Sequence, residues 1–261
     1  MIDPGRAALL IGAGFVAGVM NSIAGGGTIV TFPALIFSGL QSIVANATST
    51  VALLPASLSS LLGYRKRVAG VTRWLQLFSP VSLVGGLLGG ILLTKTPTQT
   101  FDWLVPFLIL FATVLFMSNT LVSRYLLPKS GESHGEPSRH WIIGAVVFQF
   151  FVGVYGGYFG AGIGILMLAS FGLLGFSDVH EMNTVKVVLG FLLNVVAALY
   201  FAWSGIVDWS SAGVMVVGTI IGGYVGAHFA QKVPQKLVRS LITAIGLALS
   251  AVMFYKQFVR G

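Results

Sequence analysis

The sequence contains no cysteine, so disulfides, thiolate metal sites and thiol chemistry are excluded. Charge is scarce as well: 8% of residues are charged, against ~25% in soluble domains. Acidic side chains number only 7. No paired carboxylates, His pair or Ser/His/Asp set can be placed together from their positions. Enzyme chemistry is therefore poorly supported, and neither a metal nor a cofactor is expected. A chain with so little charge and 56% hydrophobic residues reads as an all-α polytopic membrane protein. Its net charge of +8 would suggest nucleic acid in a soluble protein. Here it fits basic cytoplasmic loops, and no nucleic-acid partner is expected. Residues 1–6 make a weak signal-peptide start, so the first apolar run is expected to be retained.

What abounds is glycine, 34 of 261 residues, nearly twice the usual ~7%. Glycine lets membrane helices approach closely. Apolar segments occupy residues 7–24, 29–40, 43–62, 75–93, 103–121, 141–158, 163–176, 185–203, 212–228 and 237–254. A span needs ~20 residues, so 29–40 and 163–176 are too short to cross alone. One long polar connector, 128–140, divides the chain. The expected organisation is a first transmembrane repeat over 1–122, a cytoplasmic linker over 123–140 and a second repeat over 141–261.

The halves resemble each other. The stretch from Gly18 to Gly27 aligns with Gly153 to Gly162, and Asn46 with Asn183. Gly85, Gly86 and Gly89 align with Gly222, Gly223 and Gly226, and Lys95-Thr96-Pro97 with Lys232-Val233-Pro234. The offset stays between 135 and 137 positions, and transporters are often built from such repeats. Arg65, Lys66, Arg67 and Arg73 place the loop after the third segment in the cytoplasm. Its counterpart, Ser204-Gly205-Ile206-Val207-Asp208, has no basic residue. The first half crosses an odd number of times, so the two repeats are expected to be inverted. Arg124, Lys129, Arg139, Lys232, Lys236 and Arg239 then fall inside, and Lys95, Lys256 and Arg260 outside. Each repeat is expected to hold a glycine-broken or re-entrant helix pair plus about three full transmembrane helices.

The first break is Asn21-Ser22-Ile23-Ala24-Gly25-Gly26-Gly27-Thr28. Each helical glycine costs about 1 kcal/mol against alanine. Within a bilayer, non-helical backbone survives only when buried in protein or lining a polar cavity. The stretch reads as two half-helices, the second pointing its positive N-terminal end into the break. An equivalent break falls at Tyr155-Gly156-Gly157-Tyr158-Phe159-Gly160-Ala161-Gly162-Ile163-Gly164. Its glycine spacing mimics a nucleotide-binding fingerprint but lacks the strand–turn–helix context. Two opposed positive helix ends near the midplane favour an anion. The alternative is that the glycines only permit close packing. An alanine at Gly26 is expected to fold but to crowd the ligand.

The following helix of the second half carries Asn183, Lys186, Gly190 and Asn194 on one face. The first-half equivalents are Asn46, Ser49, Leu53 and Ser57. A lysine at depth needs a partner, and a substrate anion would serve. The competing reading is a snorkelling side chain. Asp178, His180 and Glu181 precede this helix. They suit either a proton relay, with His180 and Glu181 coupling, or a solvated helix start.

At these residues the chain resembles the sulfite exporter TauE/SafE family of transmembrane proteins. The resemblance rests on Gly18-Val19-Met20-Asn21-Ser22-Ile23-Ala24-Gly25-Gly26-Gly27-Thr28, on Asn46-Ala47-Thr48-Ser49, and on the recurrence from Gly153 with Asn183 and Lys186. It implies a multi-pass carrier of the bacterial plasma membrane for sulfite or organosulfonates, mostly exporting. Ala161 stands where the first motif has Gly26, so the two breaks need not be equivalent. The residues themselves suggest a substrate site of Asn21, Ser22, Gly25, Gly26, Gly27, Thr28, Asn46, Gly160, Gly162, Asn183, Lys186 and Asn194. The expected activity is secondary transport of a small inorganic or organic sulfur oxoanion by alternating access. An anion channel is the first rival, and a membrane-embedded enzyme or assembly factor the second. A coupling proton or ion and a homodimer are left open.

Overall fold

A computed structural model describes residues 3–23, 26–125, 139–174, 178–229 and 235–258. Its first half holds α1 (Pro4–Ile23), α2 (Thr28–Phe37), α3 (Ser42–Ala52), α4 (Leu54–Tyr64), a 3-10 turn (Arg65–Val71), α5 (Thr72–Lys95) and α6 (Thr98–Tyr125). Its second half holds α7 (Arg139–Tyr158), α8 (Ile163–Leu173), α9 (Val179–Trp203), α10 (Trp209–Phe229) and α11 (Gln235–Phe258). Among the described residues, five helical stretches are long and apolar enough to cross a membrane: Ser42–Lys95, Thr98–Ser118, Arg139–Tyr158, His180–Trp203 and Trp209–Gly226. The fold is that of a multi-pass membrane protein. Helices α2 and α8 have 10 and 11 residues, about half of a ~30 Å hydrocarbon core at 1.5 Å per residue. The middle of the expected linker lies outside the described residues.

Large apolar side chains face outward, Phe151, Leu199 and Tyr224 among them. Lipid is as apolar as they are, so helices must associate through fit rather than hydrophobic burial. Glycine supplies that fit. A Cβ on Gly18 would strike the backbone of Thr219 and Gly223. One on Gly222 would strike the carbonyl of Phe15, binding α1 to α10. The same device joins α5 to α7, where a Cβ on Gly89 would meet Val154 O and one on Gly157 would meet Gly86 O. Both tight pairs join one half of the chain to the other.

The apolar segment 43–62 is not one continuous helix. It divides at Leu53, with Pro55 in the first turn of α4. Proline is tolerated there because first-turn N–H groups have no intrahelical partner. The carbonyl freed at Ala52 accepts from Thr219 Oγ1 at 2.9 Å, and Thr219 is fully buried. Farther along α3, Thr48 Oγ1 accepts from the N–H of Asp208 at 3.0 Å. The Asp208 carboxylate caps α10 by accepting from Ser211 N–H at 2.7 Å.

Candidate anion site between the helix breaks

Both breaks are shaped by backbone that only glycine adopts at ease. Gly26 has φ +92°, Gly160 +82° and Gly162 +80°, all in the left-handed region. A Cβ on Gly26 would also run into the ring of Phe116, and one on Gly27 would lie 2.9 Å from Leu53 Cδ2. An alanine at Gly26 would therefore meet both left-handed backbone and the Phe116 ring, which argues against the expectation that it folds without cost. At the second break, Gly160 N–H donates to Tyr155 O at 3.1 Å. The Tyr155 hydroxyl donates to Ala161 O at 2.8 Å.

Neither α2 nor α8 receives a side-chain cap at its N-terminus. Ile29 N–H bonds Gly26 O, and Ile165 N–H bonds Gly162 O. The N–H groups before these lie in the turn where intrahelical partners are lacking. Thr28, Ile163 and Gly164, which carry them, line a cavity of about 540 Å³. Helix N-termini carry roughly +0.5 charge each.

From α9, Asn183, Lys186, Gly190 and Asn194 line the same cavity, as their common face implied. Lys186 Nζ donates to Asn183 Oδ1 at 2.8 Å. A Cβ on Gly164 would lie 3.2 Å from Lys186 Cδ, so the lysine stem crosses the first turn of α8. An ammonium beside a positive helix end is mutually unfavourable unless an anion joins them. Among the described residues, no carboxylate lines the cavity. In the first half Ser49 replaces the lysine, and its hydroxyl pairs with Thr31 Oγ1 at 2.6 Å on the first turn of α2.

Of the expected site residues, Asn21, Gly26, Gly27, Thr28, Gly160, Gly162, Asn183, Lys186 and Asn194 line the cavity. Gly25 and the side chain of Ser22 lie outside the described residues. Asn46 is not in the cavity wall. It is 1% exposed, and its Nδ2 donates to Tyr158 O at 2.9 Å. His180 and Glu181 also lie outside the wall. Asp178 Oδ1 accepts from His180 N–H at 2.7 Å, capping α9. Sequence reasoning missed Phe116, Phe159 and Phe191. It also missed the hydroxyl row Thr50, Ser60 and Tyr64 that joins Ser57 in the wall. The helical spacing of that row was readable, but its apolar neighbours masked it.

The fold is that of a multi-pass helical membrane protein, with a cavity between its two helix breaks. Residues 10–253 match the family described as "Sulfite exporter TauE/SafE". The chain belongs to that family of membrane transporters. It is 29% identical over 251 residues to a "Probable membrane transporter protein" of Haemophilus influenzae, covering 96% of this chain and 95% of that one. It is 26% identical over 258 residues to the "Probable membrane transporter protein YfcA" of Escherichia coli, covering 98% and 93%. The "Probable membrane transporter protein YunE" of Bacillus subtilis is 26% identical over 232 residues, covering 82% and 85%.

Proposed function

We propose that the protein is a secondary transporter that exports a small sulfur-containing oxoanion, sulfite or an organosulfonate, across the bacterial inner membrane. One observation carries the reading: Lys186 lies across the uncapped N-terminus of α8 in a cavity that, among the described residues, no carboxylate lines. The backbone N–H groups of Gly27, Thr28, Ile163 and Gly164 would hold the anion's oxygens. Asn21, Thr28, Asn183 and Asn194 would add neutral donors, and Lys186 the counter-charge.

Alternating access between inverted repeats is supported by the packing. Val71 of the basic turn is buried in the same cluster as Met182 near the start of α9. Asp208, beyond the other end of α9, bonds Thr48 of α3. The α3–α4 pair and α9 therefore run in opposite directions. A carrier fits better than a channel, because the inner wall ends on buried Phe116 and Phe159. Purified protein in proteoliposomes should show saturable sulfite uptake against a gradient. Non-saturating flux that never exceeds equilibrium would favour a channel.

A further inference from the structure

We propose that one face of α3–α4, ending in the basic turn, is the track by which an oxoanion reaches the cavity from the cytoplasm. This deepens the anion-transporter reading above and rests on it for the ligand. Thr50, Leu53, Ser57, Ser60 and Tyr64 recur at steps of three and four residues, and although the helix divides at Leu53 all five line the cavity and so share one side of α3–α4. The hydroxyls of Thr50 and Ser60 donate to the carbonyls of Asn46 and Ala56 at 3.0 and 3.1 Å. Ser57 and Tyr64 make no side-chain hydrogen bond to any described residue and remain available to a passing anion.

The open end of the cavity is fixed by exposure. Among its lining residues only Ser59 and Gly63 are exposed, and both lie in the second half of α4. A Cβ on Gly63 would meet nothing within 4 Å. Helix α4 then passes directly into the 3-10 turn, where Arg65, Lys66 and Arg67 are all exposed. The far end is closed by aromatic packing: Phe159 meets Phe32 at 5.5 Å, and Phe101 meets Tyr158 at 5.6 Å. Basic residues of this density mark the cytoplasmic face. On this reading the conformation is open inward, with three exposed cations in the turn that directly follows its exposed end and Lys186 in its wall. A cleft with one sign of charge and low-dielectric walls concentrates ions of the opposite sign. From Arg65 to Ser57 the helix rises about 12 Å, near the Debye length at physiological salt, so the attraction will weaken as salt increases.

The chain lacks cysteine, so single cysteines report cleanly. Ser57→Cys and Gly63→Cys would be reacted with two impermeant methanethiosulfonates, one bearing a sulfonate and one a trimethylammonium. Each forms a mixed disulfide and releases methanesulfinate. Both cysteines should react in inside-out vesicles and not in right-side-out vesicles. After correction for reactivity with a free thiol, the sulfonate reagent should be the faster. Replacing Arg65, Lys66 and Arg67 with Gln should lower that preference on the order of three- to tenfold, as should high salt. Labelling from the outer face, or a preference unmoved by the triple substitution, overturns the track. Sulfite binding to the purified protein is measured in parallel. If binding persists while the reagent preference is flat, only the track fails. If binding is absent while the preference holds, the anion reading fails. Because Gly63 lies in open space, Gly63→Cys keeps the test decisive should Ser57→Cys not fold.

Discussion

The side-chain amide of Asn46 donates to the carbonyl oxygen of Tyr158 at 2.9 Å, linking residues 112 positions apart. Tyr158 is the last residue of α7, and the final carbonyls of a helix have no intrahelical acceptor role. A residue of the first half thus secures the break in the second. Asn46 Oδ1 is buried without a partner among the described residues, so the contact made is through its donor. Asn46→Leu keeps the branched outline of the side chain, though it is bulkier, and orphans the Tyr158 carbonyl. The variant is expected to lose about 1–3 kcal/mol, read as a lower Tm in detergent. Its sulfite affinity should fall less than that of a Lys186 variant.

Gly26 of the first break should be intolerant of a side chain where Gly162 of the second is more forgiving. Gly26 combines φ +92° with the Phe116 ring at its missing Cβ. At Gly162 the nearest atom to a new Cβ is Leu115 Cδ1, the end of a flexible side chain at 3.2 Å. Gly162→Ala should cost about 1–2 kcal/mol of backbone strain. Gly26→Ala should cost several times that and reduce the folded yield, with partial recovery in a Phe116→Leu background. Fluorescence-detected size exclusion of the membrane extract measures both. Equal yields for the two alanine variants would remove the steric account of Gly26.

The proposed inversion of the two halves predicts a labelling pattern. Lys66→Cys in the basic turn and Asp208→Cys beyond α9 should react with an impermeant maleimide from opposite faces of the membrane. Lys66 is exposed and Asp208 half-buried, so the rates will differ but the sidedness should not. Reaction of both from the same face would sink the inverted arrangement.

Much of this architecture was legible because its signals are local. Apolar runs, glycine clusters and the four-residue face of α9 each lie within about three helical turns. They located the breaks, the short helices and nine of the residues that line the cavity. What escaped depends on partners distant in the chain. The division at Leu53 sits within an apolar run, and its freed Ala52 carbonyl is satisfied by Thr219, 167 residues away. Asn46 shares its repeat position with Asn183, yet one braces a helix end and the other lines the cavity. Phe116 blocks a Cβ at Gly26 only because α6 is laid against the break. No local pattern encodes these relationships.

Lys186 provides the most direct test of the anion site. Lys186→Met keeps the apolar stem across Gly164 and removes the ammonium, so membrane insertion should be at least as good as in the parent. Sulfite, thiosulfate and sulfoacetate binding to the purified variant would be measured by titration calorimetry. The account predicts a loss of about 1.5–3 kcal/mol for the anion that the parent binds, roughly 10- to 150-fold in Kd. Lys186→Arg should recover only part, because a planar guanidinium fork does not replace a compact ammonium. Parent-like affinity in Lys186→Met would contradict the account, leaving the lysine as no more than a snorkelling side chain.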